Sequence, residues 1–270
     1  MADSDLSSEN RESRNYVRAL ARGLQVIECF DETNAELTLS DVAKRTGLTR
    51  PSARRALLTL QTLGYASSDG NRFTLTARTL RLGYAYLSSK PLWRLVEPHI
   101  RQVGREIGQS CSIAVLDGDE IVFVVRVAAK RIINDYIAIG FRLPAYATSL
   151  GRVLLASLRP AKVDAYLERT TLVKFTPHTI VQRSKLRKII DEARQRGWAY
   201  SDQQLDLGMR SIAVPIHDSA GRTIAAINTN ALVQSIDMET LEREYLPPLR
   251  RAADTVSLMV AWRGRGTRPV

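Results

Sequence analysis

Apolar residues recur at helical spacing up to about residue 90, and in a mixture of helical and alternating spacing beyond it. Val17, Leu20, Leu24 and Ile27 make one stripe over 16–30, and Val42 and Ala43 another over 40–46. Ala53, Ala56, Leu57, Leu60 and Leu63 make a third over 49–63, and Leu80, Tyr84 and Leu87 a fourth over 77–88. The first three are the expected buried faces of a three-helix core. Ser40 is the expected cap of the second helix. Gly47 supplies the left-handed residue that ends it and turns Leu48 back inward, and Thr49 with Pro51 opens the third. Asp69-Gly70 then signals a tight turn between short strands over 65–67 and 72–75, a wing following the helices.

Past Pro91 the spacing predicts helices over 93–108, 151–157, 161–169, 184–197, 238–245 and 247–262. Strands over 111–116 and 121–127 join at Asp117-Gly118, and strands over 211–216 and 223–230 bracket a turn at 218–222. Adjacent hairpins imply an antiparallel sheet with helices on its face, so the fold class is α+β rather than doubly wound. The expected organisation is a disordered tail (1–14), a winged helix-turn-helix domain (15–76), a linker helix (77–90) closed by Lys90-Pro91, a C-terminal domain (91–262) and a basic tail (263–270).

The third helix carries its own chemistry. Arg55 falls almost opposite the apolar stripe, with Ser52 and Thr59 on one flank, Arg54 on the other and Arg50 at the N-terminal end. Arginine grips guanine O6 and N7 in a fork, and hydroxyls reach bases or phosphates, so this face suits the major groove. Asn71 and Arg72 lie near the wing tip, where the arginine adds mainly sequence-independent affinity. A basic helix face is often merely solvated. Here cap, glycine turn, proline-started helix and hairpin follow one another in the order of a DNA-reading unit.

Bulk charge says less than local charge. The chain carries 39 Lys and Arg against 28 Asp and Glu, net +11, but much of the excess lies beyond residue 90. Between residues 39 and 81 stand Lys44, Arg45, Arg50, Arg54, Arg55, Arg72, Arg78 and Arg81 against only Asp41 and Asp69. The fourth stripe, on a connecting helix, suits pairing with a second copy, which would set two recognition helices about 34 Å apart, one turn of B-DNA.

Composition narrows the function classes. With 270 residues, 44% hydrophobic, the chain can bury a full core and forms two domains, one small and one of ordinary size. No apolar run reaches the roughly 20 residues that span a bilayer, and the acidic, serine-rich start lacks the order of a signal peptide, so a cytoplasmic protein is expected. Cys29 and Cys111 have no metal or redox spacing and read as packing residues. His99, His178 and His217 form no ligand pair, and no nucleophile elbow or phosphate loop is present, so no catalytic or metal residue is assigned and no enzyme is expected. The alternatives are an enzyme of the C-terminal domain with an appended nucleic-acid-binding module, or a DNA-binding scaffold without a ligand.

The segments YVRALARGLQVIECF, LSDVAKRTGLTRPSARRALLTLQTLGY, LPAYATSLGRVLLA, GWAYSDQQLDLGMRSIAVPI and TIAAINTNA together resemble the IclR family of bacterial transcriptional regulators over nearly the whole chain. LPAYATSLGRVLLA is especially similar to the branch that governs catabolism of aromatic acids such as protocatechuate and 4-hydroxybenzoate. The resemblance implies an N-terminal winged helix and a C-terminal GAF-like effector domain with an antiparallel sheet, in homodimers or dimers of dimers. It also implies double-stranded operator DNA and a small carboxylate effector as partners, and no cofactor. It maps the effector pocket onto Leu143, Tyr146, Ser149, Leu150, Met209, Ser211, Asn228 and Asn230. Ser149 and Leu150, in the loop before a helix beginning near Gly151, would offer backbone N–H groups to a carboxylate. Leu143 and Tyr146 would form an apolar wall, and Arg142 or Arg152 would balance the anion. Family members with smaller ligands carry small hydroxyl residues where this chain has Asn228 and Asn230, so its polar contacts differ from theirs.

Overall fold

The computed structural model describes residues 15–90, 92–128 and 138–265. The expected tail over 1–14 lies outside the described residues, as does the basic tail except for the backbone of 263–265. The chain divides into two compact units between Ser89 and Lys90.

In the first unit, helix α1 (Arg18–Glu28) is followed by strand β1 (Glu36–Thr38), helices α2 (Leu39–Thr46) and α3 (Arg50–Thr62), and strands β2 (Ala66–Ser68) and β3 (Arg72–Leu75). Helix α2 is capped by Thr38, not by Ser40. The Thr38 hydroxyl accepts from the Asp41 N–H while the Asp41 carboxylate accepts from the Thr38 N–H, a reciprocal box that serves two otherwise orphaned donors. Gly47 ends α2 at φ 67°, where a side chain would be strained. Pro51 lies in the first turn of α3, but the Thr49 hydroxyl bonds the Ser52 hydroxyl at 3.0 Å rather than a backbone donor.

The core of this unit joins Val26, Leu37, Val42, Ala43, Ala53, Leu57, Leu60 and Ala66, with Leu48 and Ala56 partly buried against it. Two expectations fail. Leu63, just past the end of α3, is exposed, and most of the α1 stripe faces outward, with Val17 61%, Leu20 63% and Leu24 45% exposed. Helix α1 instead packs through Val26 and Ile27 near its C-terminal end. Strand β1, too short to show alternation, joins the wing in the order β1-β3-β2, with Leu37 opposite Phe73. A 3-10 turn (Ala77–Thr79) leads to α4 (Leu80–Ser89), where Leu80 and Tyr84 are exposed.

The second unit is a six-stranded antiparallel sheet in the order β6-β5-β4-β9-β8-β7. Its strands are β4 (Cys111–Asp117), β5 (Glu120–Val127), β6 (Arg142–Pro144), β7 (Ala199–Asp202), β8 (Met209–His217) and β9 (Thr223–Leu232). Helices cover both faces rather than one. On one side, α5 (Leu92–Ile107) and α9 (Leu246–Arg265) pack through Trp93, Val96, Ile100, Leu249 and Val256 onto Ile113, Val125, Val214 and Ile227. On the other, α6 (Ser149–Ala156) lies on Ala114, Ala213 and Ala226, with α7 (Pro160–Arg169) and α8 (Arg183–Arg196) completing that layer.

Those alanines let helix and sheet approach closely, and Gly151 of α6 lies against the backbone of the turn over 145–147. A Cβ on Gly151 would stand 2.1 Å from the Ala145 carbonyl oxygen. The two expected closing helices are one run over 238–265, passing through a π turn (Leu241–Tyr245) before Pro247, where a proline near the start of the last segment is tolerated. Cys111 is fully buried, and burial pushes its thiol up to about 12, in keeping with a packing role.

Candidate functional site

Helix α3 presents two opposite sides. Ala53, Leu57 and Leu60 are held in the core, which fixes the helix about its axis and leaves Arg50, Arg54 and Arg55 exposed. None of the three forms an ion pair among the described residues. Other cations of the unit are engaged in the fold: the Arg45 Nε donates to the Cys29 carbonyl at 3.0 Å, and the Arg78 guanidinium lies 5.5 Å from the Tyr65 ring centre. Ser52 is half-buried. Thr59 is exposed, but its hydroxyl donates to the Arg55 carbonyl at 2.8 Å, which leaves only its lone pairs for a partner.

The wing is locked by one carboxylate. Asp69 accepts from the N–H groups of Asn71 at 2.8 Å and Arg72 at 2.7 Å, and these bonds hold its carboxyl below the usual carboxylate range. Arg72 opens β3 opposite Thr38, with its side chain exposed. The Thr38 hydrogen bonds, and to a lesser degree the Arg72 charge, hold the Asp41 carboxyl below the usual carboxylate range in the same way.

The second candidate site lies on the α6 side of the large sheet. Register places Ser201 opposite Ser211, Ser211 opposite Asn230, Asn228 opposite Ala213, and Ser112 opposite Asn228. Because alternate residues share a face, Met209, Ser211, Asn228, Asn230 and Ser112 lie on one surface. Helix α6 brings Ser149 onto it, with the Ser149 and Ser211 hydroxyls 2.8 Å apart. The Asn228 Nδ2 donates to the Asn230 Oδ1 at 3.0 Å. Contrary to expectation, Ser149 and Leu150 are the first helical residues and not loop. Thr148 is the cap, taking the Gly151 N–H at 2.9 Å. The Ser149 and Leu150 N–H groups remain in the first turn, where no intrahelical acceptor exists.

The other expected pocket residues lie on β6, on the turn over 145–147 and on α6. Leu143 is on edge strand β6, opposite Ile121 of β5. Tyr146 is buried, and its hydroxyl donates to the Val173 carbonyl at 2.8 Å and accepts from the Val173 N–H at 2.7 Å. Arg142 is taken by Asp117 and Glu120, each at 2.7 Å, because β6 runs beside the β4–β5 turn. Arg152 is 2% exposed and donates to the Tyr146 carbonyl, the Tyr200 carbonyl and the Gln204 Oε1 at 3.0, 2.8 and 3.0 Å. Burial without a carboxylate partner pushes it down to about 10, so it is a cation at neutral pH that ties α6 to β7 and the loop after it. A trough of about 460 Å³ lined by Arg94, Pro98, Arg101 and Arg105 runs along α5, on the far side of the sheet from these polar groups.

Two residues of this surface carry no sequence signal of their own. Ser112 sits in the apolar run CSIAVL, and only the strand register brings it beside Asn228; Arg126 of β5 is the residue opposite Ser112 on its other side. Ser149, Ser211, Asn228 and Asn230 stand together on this surface.

Residues 19–70 match the model of the IclR helix-turn-helix domain, and residues 84–258 that of the bacterial transcriptional regulator IclR C-terminal domain. The chain is 39% identical to the Pca regulon regulatory protein of Pseudomonas putida, covering 88% of this chain and 82% of that one. It is 35% identical to the p-hydroxybenzoate hydroxylase transcriptional activator of Acinetobacter baylyi, over 94% and 96% of the two chains. Among solved structures, an IclR homolog from Microbacterium hydrocarbonoxydans complexed with 4-hydroxybenzoate matches with a TM-score of 0.74 and 26% identity, covering 90% of this chain and 98% of that one.

Proposed function

The chain belongs to the IclR family of bacterial transcriptional regulators, and on that premise we propose how it works as a ligand-responsive regulator of aromatic acid catabolism. Helix α3 enters the major groove of operator DNA, with Arg55, Arg54 and Arg50 reading base edges or phosphates, assisted by Ser52 and Thr59. Arg72 on the wing adds phosphate contact. The exposed apolar residues of α1 and α4 pair with a second copy, so that two readers meet successive turns of the duplex. The protein works in the cytoplasm; among the described residues no helix is long and apolar enough to cross a membrane.

The effector is an aromatic hydroxy acid held between α6 and the sheet. Its carboxylate lies at the α6 N-terminus, where the Ser149 and Leu150 N–H groups and the Ser149 and Ser211 hydroxyls are donors. The observation that carries this proposal is the polar surface formed by buried Ser149 and Asn228 with half-buried Ser211 and Asn230, in a chain whose other unit exposes a row of arginines. The test is calorimetric titration of the full chain with 4-hydroxybenzoate. Saturable binding is expected, lost in Asn228→Leu while operator affinity without effector is kept; undiminished effector binding by that variant removes Asn228 from the site.

A further inference from the structure

Two polar atoms of the α6-side surface have no hydrogen-bond partner among the described residues: the Ser112 Oγ and the Asn228 Oδ1. Both residues are buried, Ser112 at 1% and Asn228 at 5% exposure, and they stand directly opposite each other on β4 and β9. Leaving such groups unpaired is costly, and native interiors rarely do so without a use. The two atoms differ in what they accept. A serine hydroxyl both donates and accepts, whereas an amide oxygen only accepts. The Asn228 amide presents its oxygen here because its nitrogen is committed to Asn230.

We propose that Ser112 and Asn228 read a hydroxyl group on the effector, so that this chain selects a hydroxylated aromatic acid over the same acid without the hydroxyl. The inference rests on the proposal that an aromatic acid binds at this surface. A phenolic hydroxyl donates its hydrogen to the Asn228 Oδ1 and accepts from Ser112, satisfying both atoms with one group. An ionised carboxylate in the same place would set acceptor against acceptor at Asn228, even with Arg126 flanking Ser112 from β5. The carboxylate therefore takes the opposite end, at Ser149 and Ser211. Asn228 and Ser211 are diagonal neighbours on β9 and β8, a separation of about 7–8 Å, which suits a ligand with its two polar groups at opposite ends of one benzene ring.

The experiment is calorimetric titration of the full chain, and of Ser112→Ala and Asn228→Leu, with 4-hydroxybenzoate and with benzoate. The wild-type chain is expected to prefer 4-hydroxybenzoate by roughly 100-fold or more, since a site built to pair a hydroxyl rejects the analogue that lacks it. In both variants the preference falls toward one, through weaker hydroxybenzoate binding rather than weaker benzoate binding. Ser112→Ala also keeps or raises the melting temperature of the free protein, because it removes an unpaired buried hydroxyl; a merely structural serine would lower it. Equal wild-type affinity for the two ligands overturns the hydroxyl assignment while the effector site stands, and is the result expected if the Asn228 amide faced the ligand with its nitrogen. A preference that survives in both variants overturns the assignment to these residues. Binding of neither ligand to the wild-type chain overturns the aromatic-acid proposal and this inference with it.

Discussion

Thr38, Gly151 and Arg152 each hold a piece of backbone in the one place where a functional face can form. Thr38 closes the box that starts α2, so Thr38→Ala is expected to cost about 1 kcal/mol of stability in the N-terminal unit, read by denaturant unfolding. Gly151 lies against the backbone of Ala145, and neither chain can give way as a flexible side chain does. Gly151→Ala is therefore expected to destabilise the C-terminal unit by about 1–3 kcal/mol or more, and unchanged unfolding would show that α6 has room to lift. Arg152→Met takes its donors from the Tyr146 and Tyr200 carbonyls, at roughly 1–3 kcal/mol for each group left unpaired, while the Gln204 amide oxygen keeps the Ile180 N–H. At this scale the sequence was partly legible. Gly47 announced its turn because positive φ selects glycine. Nothing set Thr38 above Ser40, since both are good caps three residues or fewer from an acid, and Ser112 gained meaning only from the strand beside it.

Elements show where hydrophobic spacing informs and where it misleads. Helix α3 follows its stripe because the core it meets is its own, and its outward arginines carry a paired prediction. Arg55→Ala is expected to lower operator affinity by about 1–3 kcal/mol and to narrow the gap between operator and random duplex. Arg72→Ala is expected to weaken both duplexes alike and to reduce the slope of affinity against salt by about one. Fluorescence anisotropy against both DNAs at several salt concentrations separates the two, and equal losses on both duplexes for Arg55→Ala argue against base reading there. Helix α1 has as clear a stripe, yet of that stripe only Ile27 meets the core. Periodicity reveals that a face is apolar, not which surface covers it. Hairpins bounded by Asp-Gly were legible, whereas β1, β6 and β7, of three or four residues, are shorter than any alternation can mark.

The whole molecule joins a DNA reader to a ligand sensor in one chain. Family membership was readable from five short segments, because fold and function had left their marks in the same turns and helix starts. The sensing chemistry was less readable: the two arginines expected near an anion are engaged elsewhere, and the polar surface is assembled from three strands and a helix distant in sequence. Regulation requires that the effector favour one arrangement of the paired readers, for equal affinity toward both would shift nothing. Linkage then demands reciprocity: whatever factor the effector applies to operator affinity, the operator applies to effector affinity. The direct test is to measure operator affinity with and without saturating 4-hydroxybenzoate, on a duplex selected by the protein itself from random sequences, and effector affinity with and without that duplex. Both constants are expected to change by one common factor of about fivefold or more; tight effector binding that leaves operator affinity unaltered would contradict a ligand-responsive regulator.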